Sequence, residues 1–263
     1  MLENVLSRIL HTKFEEVAHR RARLYDNEVI ARANDNQPAL NFHAALRAPK
    51  NSSLALIAEV KKASPSAGII RLNFDPIAIA TNYEDHGADC LSVLTDETFF
   101  QGSDSYLKDI RRTVSIPLLR KDFVVDSYQV YEARMLGADA VLLIVAALSL
   151  NQIVEYQEIA RELGMAALVE VHDEHEMTIA LQANADLIGI NNRNLSTFHT
   201  DIGTVQRLAP MVPGGTTLVA ESGIKTSADA QLVRKYGASA ILVGESLMRC
   251  ENIGSAVDAL MSI

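Results

Sequence analysis

An acid and an amine two residues apart, Glu59 and Lys61, close the apolar run LALIAEV and precede the turn Ser64-Pro65-Ser66. Strand side chains alternate between faces, so these two point the same way. On an interior face they would be desolvated side by side, at a cost of several kcal/mol unless they pair, and such placement suits proton transfer. On an edge strand the same residues would form only a solvated ion pair.

Other apolar runs end in the same manner. Thr95 and Asp96 precede the aromatic stretch ETFFQGS with Phe99 and Phe100; Arg120, Lys121 and Asp122 follow IPLL; Glu170 and His172 close MAALVEVH. Asn191, Asn192 and Arg193 follow LIGI, Glu221-Ser222-Gly223 follows TTLVA, and Gly244-Glu245-Ser246 follows AILV. Lysines, an arginine and carboxylates converging on one place make a proton-transfer site with a seat for an anion. Gly223 and Gly244 let backbone N–H groups approach a ligand, which reads as a phosphate seat. Glu245 carries the wrong charge for it, so its side chain is expected to point away while its amide contributes.

Weaker patterns carry less. His172 and His175 sit three apart at a helix start with no carboxylate cluster beside them, so no metal is expected. AESGI lacks the GxSxG form, which makes Ser222 a poor nucleophile. Phe99 and Phe100 fit either core packing or an aromatic wall. Lys61 and Lys121 on strand ends leave a Schiff-base aldolase open as a rival chemistry.

The elements that position these residues repeat. GADCLSVL at 87, GADAVLLI at 137, NADLIGI at 184 and GASAILVG at 237 recur about every 50 residues, with further strand candidates halfway between. Eight strands result, at 54–60, 90–94, 117–121, 140–144, 166–171, 186–190, 217–221 and 240–243, each followed by a helical pattern. Helix starts are marked by Asp75-Pro76, by Ser127, and by Thr226 through Asp229. Strands apolar on both faces and separated by helices make a parallel sheet, and eight such units make a (β/α)8 barrel, whose function lies at the strand C-termini. A doubly wound sheet is disfavoured because no GxGxxG turn follows the first strand. Residues 51–263 are assigned to the barrel and 1–50 to an N-terminal helical extension. On its first helix Leu2, Val5, Leu6, Ile9, Leu10, Phe14 and Val17 mark one apolar face, and the charges mark a solvated one.

The bulk numbers bound the partners. At 263 residues and 48% hydrophobic content the chain buries a large core. A net charge of −9 argues against nucleic acid and anionic membranes as partners. Two cysteines without CxxC spacing fit a reducing compartment; Cys250 falls in a helical pattern. No leader pattern and no apolar run long enough for a bilayer is present, so a cytoplasmic location is expected, as monomer or weak homo-oligomer.

Taken in order, IAEVKKASPSAG, LSVLTDETFFQGS, IPLLRKDF, DAVLLIV, ALVEVH, IGINNRNL, AESGI and VGESLM closely resemble the indole-3-glycerol phosphate synthase family of tryptophan biosynthesis. The resemblance covers essentially the whole chain, most weakly at 20–51 and across HTDIGTVQRLAPMVPGGT. It implies pyrrole-ring closure in 1-(2-carboxyphenylamino)-1-deoxyribulose 5-phosphate with loss of carbon dioxide and water, without cofactor or metal. It implies that Lys121 is the general acid on the ketone oxygen and Glu170 the base of the dehydration, with Lys61 and Glu59 in the catalytic set and Asn191 orienting the substrate. How the two lysines divide the acid steps stays open. Arg193 and Ser64 would meet the anthranilate carboxylate, Ser222, Gly223 and Gly244 the phosphate, and Phe100, Glu221 and Glu245 would complete the substrate site. Burial is expected to tune the amine toward neutral pH while neighbouring carboxylates keep it protonated. The N-terminal helix is expected to cap the barrel mouth. The family also occurs fused to the preceding isomerase; ending soon after the eighth helix, this chain is expected to carry the one activity.

Overall fold

The structure is a computed structural model that describes residues 5–50, 53–194 and 199–263. Eight parallel strands close on themselves in chain order: β1 (Ala55–Val60), β2 (Cys90–Leu94), β3 (Leu118–Lys121), β4 (Ala140–Ile144), β5 (Ala166–Val171), β6 (Leu187–Asn191), β7 (Thr217–Glu221) and β8 (Ala240–Val243). β1 pairs with both β2 and β8, which removes every sheet edge and with it the edge-strand reading of Glu59. A two-residue antiparallel hairpin, Ala63–Ser64 with Gly68–Ile69, lies outside the barrel just after β1 and was not legible in the sequence.

Alternation decides which side chains face inward. Ala55 and Ile57 of β1, Leu119 of β3, Leu168 of β5, Leu187 of β6, Val219 of β7 and Leu242 of β8 belong to the cluster that fills the barrel. Their neighbours, such as Leu56, Ala58, Leu118, Val169 and Ile241, pack outward against the helices. Two residues beyond the inward set come Glu59, Lys121, Glu170, Gly189, Glu221 and Gly244, and Asn191 follows two beyond Gly189. The period of two therefore places the chemistry-bearing residues as the last inward layer.

Most helix starts agree with the sequence. Asp75 accepts from the amides of Ile77 and Ala78 at the start of α4 (Pro76–Asp85), and Thr226 forms a capping box with Asp229 on α10 (Ser227–Lys235). At α6 (Ser127–Leu136) the cap is Asp126, one residue before the expected Ser127. Cys250 is exposed and follows the short helix α11 (Glu245–Met248) instead of lying in a helix. No helix among the described residues is long and apolar enough to cross a membrane.

The extension touches both ends of the barrel, so capping of the mouth is only part of what it does. Helix α1 (Val5–Arg23) lies at the mouth, α2 (Asp26–Asn34) packs beside α6, and α3 (Phe42–Arg47) seals the opposite end. Phe42 and Leu46 of α3 enter the inner cluster, while Arg47 donates to the Gly215 carbonyl at 2.7 Å and to Thr217 Oγ1 at 3.0 Å where β7 begins.

The apolar face expected on α1 is revised. Leu2 lies outside the described residues, Ile9 and Val17 are buried, and Phe14 points into solvent. Its place in the buried ridge is taken by Lys13, four residues after Ile9 and four before Val17. Lys13 is 2% exposed and reaches Glu16 at 2.7 Å, Asp122 at 2.9 Å and Asp96 at 3.0 Å. Burial disfavours its charge, but Asp122, Asp96 and Glu16 outweigh that and raise its pKa. Arg20 likewise pairs with Asp104 and Glu132, so the charges of α1 are anchors and not merely a solvated face.

Replacing Lys13 with Met removes the cation shared by two buried carboxylates, Asp96 and Asp122. Urea unfolding is expected to show a loss of about 3–5 kcal/mol; a loss under about 1 kcal/mol, as for a surface pair, would refute the anchor.

Candidate active site

A cavity of about 690 Å³ opens over the C-terminal ends of the strands, and the catalytic and substrate-binding residues that the family resemblance implied all line it. Glu59, Lys61 and Ser64 come from β1 and the turn after it, Phe100 from the loop after β2, and Lys121 and Glu170 from the ends of β3 and β5. Asn191 and Arg193 follow from β6, Glu221, Ser222 and Gly223 from β7, and Gly244 with Glu245 from β8. Val5, Leu6 and Ile9 of α1 line it as well, which puts that helix over the mouth. Phe100 has Phe123 beside it, ring centroids 6.0 Å apart, and the two form an aromatic wall.

Lys121 is the electrostatic centre. Its Nζ lies 3.0 Å from Glu170 Oε2 and 3.5 Å from Glu221 Oε2. Burial works against the ammonium, yet Glu170, Glu221 and Glu59 together raise its pKa above the ordinary lysine value. The expectation that burial tunes this amine toward neutrality is therefore overturned, because the carboxylates win. Burial also opposes ionisation of Glu170, but Lys121 and His172 hold its pKa below the usual range. Glu221 moves the other way: burial raises its pKa, the charge of Glu170 adds to the rise, and Lys121 only partly offsets it. The proton affinities of these two carboxylates are thus driven apart, Glu170 downward and Glu221 upward, the pattern of an acid–base pair.

Beside this centre Glu59 pairs with Lys61. A Cβ on Gly244 would overlap the Glu59 carboxylate, and one on Gly189 would overlap that of Glu221. Glycine at these positions leaves room for the acids.

The opposite side of the mouth carries Arg193. It donates to Ser66 Oγ at 3.0 Å and lies 3.3 Å from Glu245, and its backbone N–H donates to Asn191 Oδ1 at 3.0 Å. Glu245 bridges Arg193 and Arg249 across the rim, which satisfies its charge. At the end of β7 Ser222 and Gly223 both take left-handed backbone, φ 62° and 80°, and Asn192 Nδ2 holds the Ser222 carbonyl at 3.0 Å. A side chain at Gly223 would strike Thr200, so only glycine suits that turn.

Arg120 is excluded from the mouth. Preceding Lys121 by one residue, it faces outward into the helix layer, where it meets Glu132 at 2.8 Å and Asp104 at 3.3 Å. Sequence reasoning missed Lys225 and Arg249 on the cavity wall, and it named His172 at the end of β5 without giving it a place behind Glu170. His172 was visible as the histidine of EVHDEHE, but its partner is Glu176 and not His175.

A parallel eight-stranded barrel with carboxylates around a half-buried ammonium at its C-terminal mouth defines a (β/α)8-barrel enzyme of the acid–base type. Solved structures with the same architecture include a 3-hexulose-6-phosphate synthase (TM-score 0.66, 14% identity, 80% of this chain and 99% of that one) and the thiamine phosphate pyrophosphorylase of Pyrococcus furiosus (TM-score 0.60, 18% identity, 80% and 95%). At those identities they speak for the fold alone. The family model for indole-3-glycerol phosphate synthase matches residues 6–260. The indole-3-glycerol phosphate synthase of Alkaliphilus metalliredigens (strain QYMF) is 45% identical over 258 residues, 98% of each chain. The chain belongs to the indole-3-glycerol phosphate synthase family.

Gly244→Ala should push the Glu59 carboxylate off Lys61. At least a tenfold fall in kcat with the fold retained by circular dichroism is expected, and unchanged kcat would show that this close approach has no bearing on the site.

Proposed function

We propose that this cavity closes the pyrrole ring of 1-(2-carboxyphenylamino)-1-deoxyribulose 5-phosphate with loss of carbon dioxide and water, Lys121 acting as general acid. The observation that carries the assignment is the protonated Lys121 held between Glu170 and Glu221 on the cavity wall. When the aromatic carbon that bears the carboxylate attacks the ketone carbon, charge grows on the ketone oxygen. An ammonium already in place supplies the proton without reorganisation. Loss of the carboxylate as carbon dioxide restores aromaticity, and dehydration then completes the pyrrole.

Glu170 is assigned as the base of that dehydration. In the resting site its proton affinity is suppressed by Lys121. Once Lys121 has given up its proton, its share of that suppression falls away, so the acid step raises the basicity of Glu170. The Glu59–Lys61 pair lies near enough to share the acid steps, and Asn191 and Glu221 orient the substrate beside Lys121. We assign the anthranilate ring to the wall of Phe100 and Phe123, and its carboxylate to Arg193 with Ser64. Backbone amides around Ser222, Gly223, Gly244 and Glu245 take the phosphate.

Every step exchanges protons, carbon dioxide or water, so the reaction itself calls for no electron carrier. A Schiff-base route would need a neutral amine on Lys121, and its carboxylate neighbours keep it protonated. We take residues 1–50 as an extension that works with the 51–263 barrel as one unit. The chain's own helices cover both barrel ends, which supports a monomer or weak homo-oligomer, and the two unpaired cysteines support a cytoplasmic setting. The acidic net charge speaks against nucleic acid as a partner.

Supplied with the carboxyphenylamino-deoxyribulose phosphate, the wild type should generate the indole chromophore, and Lys121→Ala should lower kcat by about two orders of magnitude or more. Near wild-type turnover by that variant would remove Lys121 from the mechanism.

A further inference from the structure

The two oxygens of Glu170 are divided between two cationic side chains. Oε2 accepts from Lys121 at 3.0 Å, and Oε1 lies 3.3 Å from His172 Nε2, an ion-pair separation. The other ring nitrogen of His172, Nδ1, lies 2.9 Å from Glu176 Oε2, and that same oxygen accepts the backbone N–H of His172 at 2.8 Å. Glu176 is fixed in turn. It lies in the first turn of α8 (Glu174–Gln182), where its own N–H donates to the capping Asp173 at 2.9 Å. The imidazole is therefore clamped between two carboxylates, with its side chain 10% exposed. It does not line the cavity, and whatever it contributes passes through Glu170.

A ring that faces a carboxylate from each nitrogen is suited to carry a proton on both. We propose that His172, oriented by Glu176, is a positioning residue that stays an imidazolium and thereby keeps Glu170 ionised and fixed in one orientation for the dehydration step. This rests on the reading of Glu170 as the base. The charged groups around the pair are Glu176 from α8, Lys121 from β3 and Glu221 from β7, with Glu59 of β1 beyond Lys121. Of these, Glu170 and Glu176 dominate at the ring: burial opposes its charge, but their hydrogen bonds and charges push the His172 pKa up to about 10. The arrangement also explains how Glu170 can stay ionised beside Glu221. Lys121 is shared between both acids, whereas of the two only Glu170 faces His172, and this asymmetry lowers the proton affinity of Glu170 relative to that of Glu221.

The sign of the effect follows. A cation lowers the pKa of a neighbouring carboxyl, so removing the charge of His172 raises the pKa of Glu170. The acid limb of kcat should then move to higher pH by about one unit or more, the size of shift an opposite charge at this distance produces. KM should change little, because the imidazole does not face the substrate. A merely structural role would lower kcat at all pH values without moving the limb.

The test is the pH profile of kcat for the wild type and for His172→Gln from pH 3 to 9, together with nitrogen-15 NMR of the histidine ring in the wild type and in Glu176→Gln. The expected results are an upward-shifted acid limb with activity recovering toward high pH, a doubly protonated His172 ring at pH 8 in the wild type, and a ring that loses its proton at lower pH in Glu176→Gln. A superimposable acid limb, or a neutral His172 ring at pH 8 in the wild type, would overturn the proposal. The ring measurement needs no turnover. If Glu170→Gln made indole at the wild-type rate while the ring stayed doubly protonated, the role of Glu170 as base would fall and the charge state of His172 would stand.

Discussion

A buried ammonium must be stabilised by its surroundings or it deprotonates, and Lys121 is the charge on which this barrel's mouth depends. Removing it from water costs several kcal/mol, and Glu170, Glu221 and Glu59 offset that cost from three different strands. Those acids fit only because Gly244 and Gly189 bring backbone, without side chain, against two of the carboxylates. The two acids closest to Lys121 oppose each other's ionisation, so the proton affinity of Glu221 rises while that of Glu170 falls. Strand alternation, the glycines and the protonation pattern are thus consequences of a single requirement, a proton donor ready at the closed end of a pocket.

Three consecutive residues show how the chain builds outward from that centre. Arg120 faces the helix layer and ties α5 (Asp104–Arg111) to α6 through Asp104 and Glu132. Lys121 faces the cavity, and Asp122 reaches up to Lys13 of α1. Arg20 of α1 lands on the same Asp104 and Glu132, so helix, strand and lid share one continuous charge network. Asp96 belongs to it as well, accepting from the amides of Phe99 and Phe100 while meeting Lys13, and so links the lid to the aromatic loop.

What was legible in the sequence follows from periodicity. Strand bounds came within about a residue of those observed because burial on both faces yields compact apolar runs between turn signals, and the polar residues ending those runs needed only the period of two to converge. The misplacements occurred where pairing, not hydropathy, decides direction. Lys13 is buried and Phe14 exposed because two carboxylates from other strands wait for the lysine. Partners contributed by distant strands leave no local trace in a sequence.

The seal made by α3 has a consequence for the order in which the molecule can be completed. Arg47 reaches Thr217 and Gly215, partners 170 and 168 residues further along the chain. On a ribosome, Phe42 and Leu46 emerge early, yet the floor they plug is unfinished until β7 and β8 have been made. For most of synthesis these side chains have no native place to go. Contacts of such sequence separation are slow to form and leave apolar surface open while they wait. The first residues made are among the last to dock, and the barrel's closure is a property of the finished chain.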